Sequence, residues 1–217
     1  MRKITTATFV SLDGVMQAPG GPQEDPVGGF EFGGWTFHYW DDVGGAVIGE
    51  TFAKSFALLL GRKTYDIFAA HWPYQKDDPI ADRFNAVTKY VATHRPDTLS
   101  WQNSQSLGDD VVATLLQLKQ EDGPDLLIQG SSELIQTLLA NDLIDEISLL
   151  TFPLVLGKGK RLFGSGAIPA AFKLNRSQAS TTGVIIASYE RAGEIKTGSF
   201  AQRQPSEAEI ERRRTWK

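Results

Sequence analysis

Two segments constrain this chain most, because each runs a buried strand into a helix through a glycine. Phe56-Ala57-Leu58-Leu59-Leu60 is an unbroken apolar run, as expected of a strand covered on both faces. Gly61 ends it, and Arg62-Lys63-Thr64-Tyr65 opens a helix predicted to reach Ala70. Asp125 to Gln129 repeats the pattern as a strand, followed by Gly130, Ser131-Ser132 and a helix over 133–140. A helix N-terminus presents unpaired N–H groups and a partial positive charge, which suit an anion. Cations at positions 62 and 63 oppose that dipole, so an anionic ligand explains them better than helix stability does. On neighbouring strands, the two turns put two anion sites at the carboxyl edge of one sheet, where open α/β sheets bind ligands. A dinucleotide carrying a pyrophosphate and an extra phosphate fits such a pair. The ordinary Gly-x-Gly-x-x-Gly fingerprint and the triphosphate-binding loop are both missing.

Other segments extend the alternation. Strands are predicted over 4–10, 87–93 and 143–150, and helices from Asp41 or Asp42 to about Lys54 and over 107–121. Residues 172–180 and 183–191 read as a terminal hairpin, which makes the sheet mixed. Residues 17–40 form a long Gly/Pro stretch that carries Phe30, Phe32, Trp35, Phe37, Tyr39 and Trp40. Disordered segments are poor in aromatics, so this loop reads as an ordered lid or pocket wall. Its alternative is a set of aromatic plugs packed on the body.

Composition removes several function classes. With no cysteine there is no disulfide framework, thiolate metal site or cysteine nucleophile, and three scattered histidines build no metal centre, so no metal is expected. A net charge of −4 argues against nucleic acid as a partner. No apolar run approaches the roughly 20 residues that span a bilayer, and the start reads as a strand. A cytoplasmic location is expected. After Gly193 the chain turns polar, then charged, with Ser206 and Glu209 at capping-box spacing and Arg212-Arg213-Arg214 at the helix end. The expected organisation is a domain over 1–193 and a charged extension with a short helix over 194–217.

Leu60-Gly61-Arg62-Lys63-Thr64-Tyr65 looks like the Gly-Arg-x-Thr-Trp/Tyr segment of dihydrofolate reductases. Ser11-Leu12-Asp13-Gly14, Leu143-Ile144-Asp145-Glu146-Ile147 and the stretch Pro153–Phe163 look like the reductase domain of riboflavin biosynthesis. Over about residues 3–191 the chain resembles the bacterial deaminase–reductase-like proteins of the dihydrofolate reductase superfamily. The resemblance implies a three-layer α/β fold: a central mixed, mostly parallel sheet with helices on both faces and a C-terminal antiparallel hairpin. It implies NADPH as cofactor and hydride transfer to a small pterin- or pyrimidine-like heterocycle, in a homodimer.

By the same resemblance Arg62, Lys63 and Thr64, after Gly61, hold the 2′-phosphate and an adjacent phosphate. The segment Gln129, Gly130, Ser131, Ser132 and Leu134 receives the pyrophosphate. Thr93 lies near the adenosine, and Gly14 and Val15 flank the nicotinamide. Asp13, Trp35, Phe37 and Trp40 are candidates to touch substrate. Asp41 and Asp42, with Glu50 behind them, are candidate acids for the proton. Riboflavin reductases carry a Glu before a Gly-Gly pair; this chain has Gln129-Gly130-Ser131 instead. That departure, with no clear acid on the first helix, motivates an alternative reading as a nucleotide-binding or sensing module without turnover.

Overall fold

The computed structural model describes residues 1–164, 167–200 and 204–216. Eight strands form one sheet: β1 (Ile4–Ser11), β2 (Phe56–Gly61), β3 (Lys89–Ala92), β4 (Ser104–Ser106), β5 (Asp125–Ile128), β6 (Glu146–Phe152), β7 (Phe172–Ala179) and β8 (Ile185–Arg191). Their order is β4-β3-β2-β5-β1-β6-β8-β7. From β4 to β6 every neighbouring pair is parallel; β8 runs antiparallel to β6, and β7 antiparallel to β8. The helices are α1 (Asp42–Ala53), α2 (Arg62–Ala69), α3 (Pro79–Ala86), α4 (Val111–Gln120), α5 (Ser132–Ala140) and α6 (Glu207–Thr215). This is the dihydrofolate reductase-like layout expected from the sequence.

β2 shows why the apolar run had to be central. Ala57 and Leu59 point into a core with Leu115 of α4 and Ile135 and Leu138 of α5. Phe56, Leu58 and Leu60 point the other way, against Tyr65 of α2 and Phe84 of α3. Alternate residues of one strand thus feed two cores, and α1 closes a third with Phe152, Trp35 and Ile186.

Some boundaries shift for local reasons. α4 starts at Val111 because Asp110 caps it, accepting from the Ala113 N–H at 2.9 Å, while Leu107 stays in the core as a loop residue. Leu143 and Ile144 likewise plug the core ahead of β6. The sequence reading assigns neither β4 nor α3. β4 is a polar Ser-Gln-Ser edge strand, and α3 is a short helix that starts at its Asp78 cap and Pro79 and buries Ala81 and Phe84. The loop before α1 is ordered. Phe30 and Trp35 are buried, Trp35 Nε1 donates to Gln17 O at 2.8 Å, and Thr36 Oγ1 donates to Pro19 O at 2.8 Å.

α6 is capped by Ser206 and none of its residues is buried. Ala201–Arg203 and Lys217 of the predicted extension lie outside the described residues.

Candidate active site

β3, β2, β5 and β1 are consecutive and parallel, so their carboxyl ends share one edge. That edge gathers Thr93 after β3, Gly61 at the end of β2, Gln129-Gly130-Ser131 after β5, and Asp13-Gly14-Val15 after β1. The two glycine turns interlock. Ser131 Oγ accepts the Gly61 N–H at 2.9 Å, and the Ser131 N–H donates to Thr64 Oγ1 at 2.9 Å. Ser131 Oγ also donates to Gln129 O at 2.9 Å. Gly130 (φ +55°) and Ser131 (φ 59°) are both left-handed. A Cβ on Gly130 would lie 2.9 Å from Thr64 Oγ1, so position 130 requires glycine twice over.

α1, α3, α4 and α6 each start with a side chain accepting from a first-turn N–H, whereas α2 and α5 have no side-chain cap. These two are the helices whose N-termini meet at the interlocked turns. Gln129 is 9% exposed, and its buried Nε2 has no partner among the described residues. Two uncapped helix N-termini meet at this edge, an arrangement that fits a phosphate. Leu134 is buried in the core beneath Gly61, so it offers the site its place in the first helical turn, not its side chain.

Arg62 reaches across to the end of β3. Its Nη1 donates to Thr98 Oγ1 at 2.6 Å, Arg95 O at 3.2 Å and Thr93 Oγ1 at 3.4 Å. Its Nε and Nη2 grip Asp66, which Arg95 also approaches at 3.7 Å. Arg62 and Thr93 are therefore brought together, with Asp66, Arg95 and Thr98 as unforeseen neighbours. The i,i+4 spacing of Arg62 and Asp66 on one helix was the available signal. Lys63 is exposed and lies 3.8 Å from Glu133 across the two turns.

The other candidates mostly serve as fasteners. The Asp13 carboxylate accepts from Ser11 Oγ (2.6 Å), Leu156 N (3.1 Å), Gly157 N (2.9 Å) and Arg161 Nη2 (3.2 Å). The Ser11 hydroxyl above all holds its pKa below the usual carboxylate range. Val15 is fully buried and pairs with Arg161, while Gly14 O accepts the Leu162 N–H at 3.0 Å. Asp41 caps α1 and ties it to the β7–β8 turn, accepting from Gly44 N at 2.9 Å, Thr181 N at 2.7 Å and Thr181 Oγ1 at 2.6 Å. The Thr181 hydroxyl bond leads in lowering its pKa to about 2. Such a group accepts hydrogen bonds and holds no proton near neutrality. Asp42 is exposed on the first turn of α1, and Glu50 pairs with Arg176 at 2.9 Å. Trp35 packs edge-on against Phe152 at 5.2 Å, a wall of the core. Phe37 is 76% exposed and Trp40 43% exposed, with Trp40 edge-on to Phe9 at 5.7 Å. Among the described residues no cluster could hold a metal ion.

A cavity of about 440 Å³ lies between α1 and α3, with Trp40 on its wall.

Residues 2–186 match the family model described as the RibD C-terminal domain. The uncharacterized protein YwjB of Bacillus subtilis (strain 168) is 32% identical over 109 residues, 49% of this chain and 57% of that protein. The chain thus matches just over half the length of that relative. A dihydrofolate reductase from Enterococcus faecalis, complexed with NADP(H), superposes with TM-score 0.54 at 13% identity, covering 88% of this chain and 96% of that one. A diaminohydroxyphosphoribosylaminopyrimidine deaminase/5-amino-6-(5-phosphoribosylamino)uracil reductase from Thermotoga maritima gives TM-score 0.57 at 15% identity, covering 88% of this chain and 57% of that one. At these identities the likeness shows the fold.

Proposed function

We propose, from the premise that the chain belongs to the RibD C-terminal domain family, that it is an NADPH-dependent reductase of a small heterocycle of the pterin or pyrimidine class. The observation that carries this reading is the pair of uncapped helix N-termini interlocked through Ser131 and Thr64. Gln129, Gly130, Ser131 and Ser132 would hold the pyrophosphate, and Arg62, Lys63 and Thr93 the extra phosphate of the adenosine half. Gly14 and Val15 would flank the nicotinamide, held by their bonds to the 161–162 segment. Bound there, the cofactor supplies a hydride. The chain orients both partners, because rigid positioning removes the entropy of bringing them together. Asp41 is held ionised, so in this reading water supplies the proton. A homodimer and a cytoplasmic location are part of the proposal; among the described residues no helix is long and apolar enough to cross a membrane.

Titrating the protein into NADPH and following nicotinamide fluorescence tests the cofactor. Saturable binding below a millimolar, lost in Arg62→Ala, is expected; no binding, or no effect of the variant, rejects it. Binding without consumption of NADPH across a panel of pterins, pyrimidines and quinones would leave the sensing-module alternative.

A further inference from the structure

Lys89 is fully buried, and among the described residues no carboxylate pairs with it. Taking an ammonium out of water is costly unless its protons are satisfied, and an apolar residue would fill a strand position at lower cost. Here the protons go to the main chain. Nζ donates to Asn85 O, near the end of α3, and to Gln102 O, each at 2.9 Å. The Trp101 ring lies 4.3 Å from it. A cation at a helix C-terminus complements the dipole, which accounts for the first carbonyl. The second belongs to residues 93–103, the connection from β3 to β4.

That connection has a 3-10 turn at Pro96–Thr98 and leads into a strand of only three residues. One end of it forms the Arg62 subsite, where Thr93 Oγ1, Arg95 O and Thr98 Oγ1 accept from Arg62 Nη1. The other end is tied at Trp101. The Trp101 N–H donates to Tyr65 Oη at 2.8 Å, and Nε1 donates to Asn85 Oδ1 at 2.7 Å. Gln102 Nε2 and Asn103 Nδ2 also donate to Asn85 O, at 3.1 and 3.2 Å. Tyr65 stands on the first turn of α2, with the Arg62 guanidinium 5.5 Å over its ring. Asn85, Lys89 and Trp101 thus fix the base of the connection, and Tyr65 joins that base to the helix that carries Arg62.

We propose that Lys89 is a positioning residue for the cofactor. By holding Gln102 and Trp101 against the end of α3, it fixes residues 93–103 and with them the place where Arg62 meets the extra phosphate of NADPH. Lys89 acts through Trp101 and Gln102, not by touching the nucleotide. The inference deepens the reductase reading and rests on it for the identity of the ligand.

Lys89→Met keeps the stem and removes the two donors. Paired fluorescence titrations are expected to show NADPH binding weakened about tenfold or more and NADH within about twofold, because only NADPH carries the phosphate that this subsite takes. Tyr65→Phe keeps the ring beneath Arg62 and removes the acceptor of the Trp101 N–H. It is expected to weaken NADPH selectively by about threefold or more, and it carries the test if Lys89→Met does not fold. Hydrogen exchange at fixed pH reads the tether without nucleotide. In either variant the amides of Arg95, Leu99 and Trp101 are expected to exchange about tenfold faster or more, while those of Leu59 and Leu127 in β2 and β5 keep wild-type rates. Equal weakening of both nucleotides, unchanged NADPH affinity, or unchanged exchange at Arg95, Leu99 and Trp101 overturns the proposal. If wild type binds no NADPH, the reductase reading fails, and the exchange result alone supports or overturns the tether.

Discussion

Asp66 lies one helical turn beyond Arg62 and takes its guanidinium through Nε and Nη2 at 2.8–3.0 Å. With Nη1 bound to Thr98 and Arg95, the arginine proposed to read the 2′-phosphate already holds a carboxylate where an anion would go. NADPH must displace or share that carboxylate, whereas NADH need not. Asp66→Asn is expected to tighten NADPH about tenfold, or about 1.4 kcal/mol, and to move NADH less than about twofold. Paired fluorescence titrations measure both; an equal shift for the two nucleotides would show that Asp66 has no part in selection.

The Ser131–Thr64 lock predicts a stability cost in the nucleotide site itself. Thr64→Val removes the acceptor of the Ser131 N–H and is expected to cost about 1–2 kcal/mol in urea unfolding, with Thr64→Ser restoring most of it. Gly130→Ala adds left-handed backbone strain to the contact with Thr64 and should cost about 2 kcal/mol or more. Wild-type stability in either Val or Ala variant would mean the turn relaxes freely.

Asp41 separates a cap from a proton donor. A general acid contributes roughly 10²–10⁴-fold to rate. As a cap and a tie to Thr181, Asp41 changed to Asn is expected to lower the melting temperature while turnover of a panel substrate stays within about threefold, far below that range. Because its folded pKa near 2 is below the ordinary value of 3.8, its stabilising effect is present above pH 4 and is lost as pH falls through 2. The pH–rate profile above pH 5 should therefore carry no step from it.

Lys89 predicts the opposite pH window. It is fully buried, donates to Asn85 O and Gln102 O at 2.9 Å, and lies 4.3 Å over the Trp101 ring. Burial lowers its pKa from 10.5 to about 8. Between pH 8 and 10.5 the unfolded chain binds the proton that the folded chain has released, so stability rises with pH across that window. Below pH 8 both states are protonated and the burial cost is present in full. The rise should be about 3 kcal/mol and vanish in Lys89→Met, measured by denaturant unfolding at stepped pH.

Thr6 and Thr8 are buried on β1 with hydroxyls that find no partner among the described residues. Thr6→Val and Thr8→Val keep the shape and remove an unsatisfied group, so each is expected to stabilise by about 1 kcal/mol. Loss of stability in both would mean that the hydroxyls are satisfied in solution.

Much of this was written locally. Ile4–Ser11, Phe56–Gly61 and Asp125–Ile128 read as strands because runs of apolar or β-branched residues have few other uses, and the glycines at 61 and 130 marked where strand gives way to helix. Ser206 marked the start of α6 through its capping-box spacing with Glu209, whereas the Asp110 cap was not read and α4 begins at Val111 instead of 107. β4 was not legible from periodicity, being a polar edge strand stabilised by pairing with β3, and α3 went unread although it buries Ala81 and Phe84 on one face.

The site divides along the same line. Sequence alone marked two glycine turns with cations and hydroxyls at helix starts; that they meet at one sheet edge was decided by β2 and β5 pairing although β3 and β4 separate them in the chain. Tertiary structure decided which side chains remain free there. Asp13 is spent on the 156–161 loop and Asp41 on Thr181, while Arg62 is held by Asp66 and Gln129 is left with a donor that has no partner among the described residues. Asp13 and Asp41 find partners more than a hundred positions away in the chain, and no local pattern encodes which of several carboxylates will find a hydroxyl or an N–H across the fold.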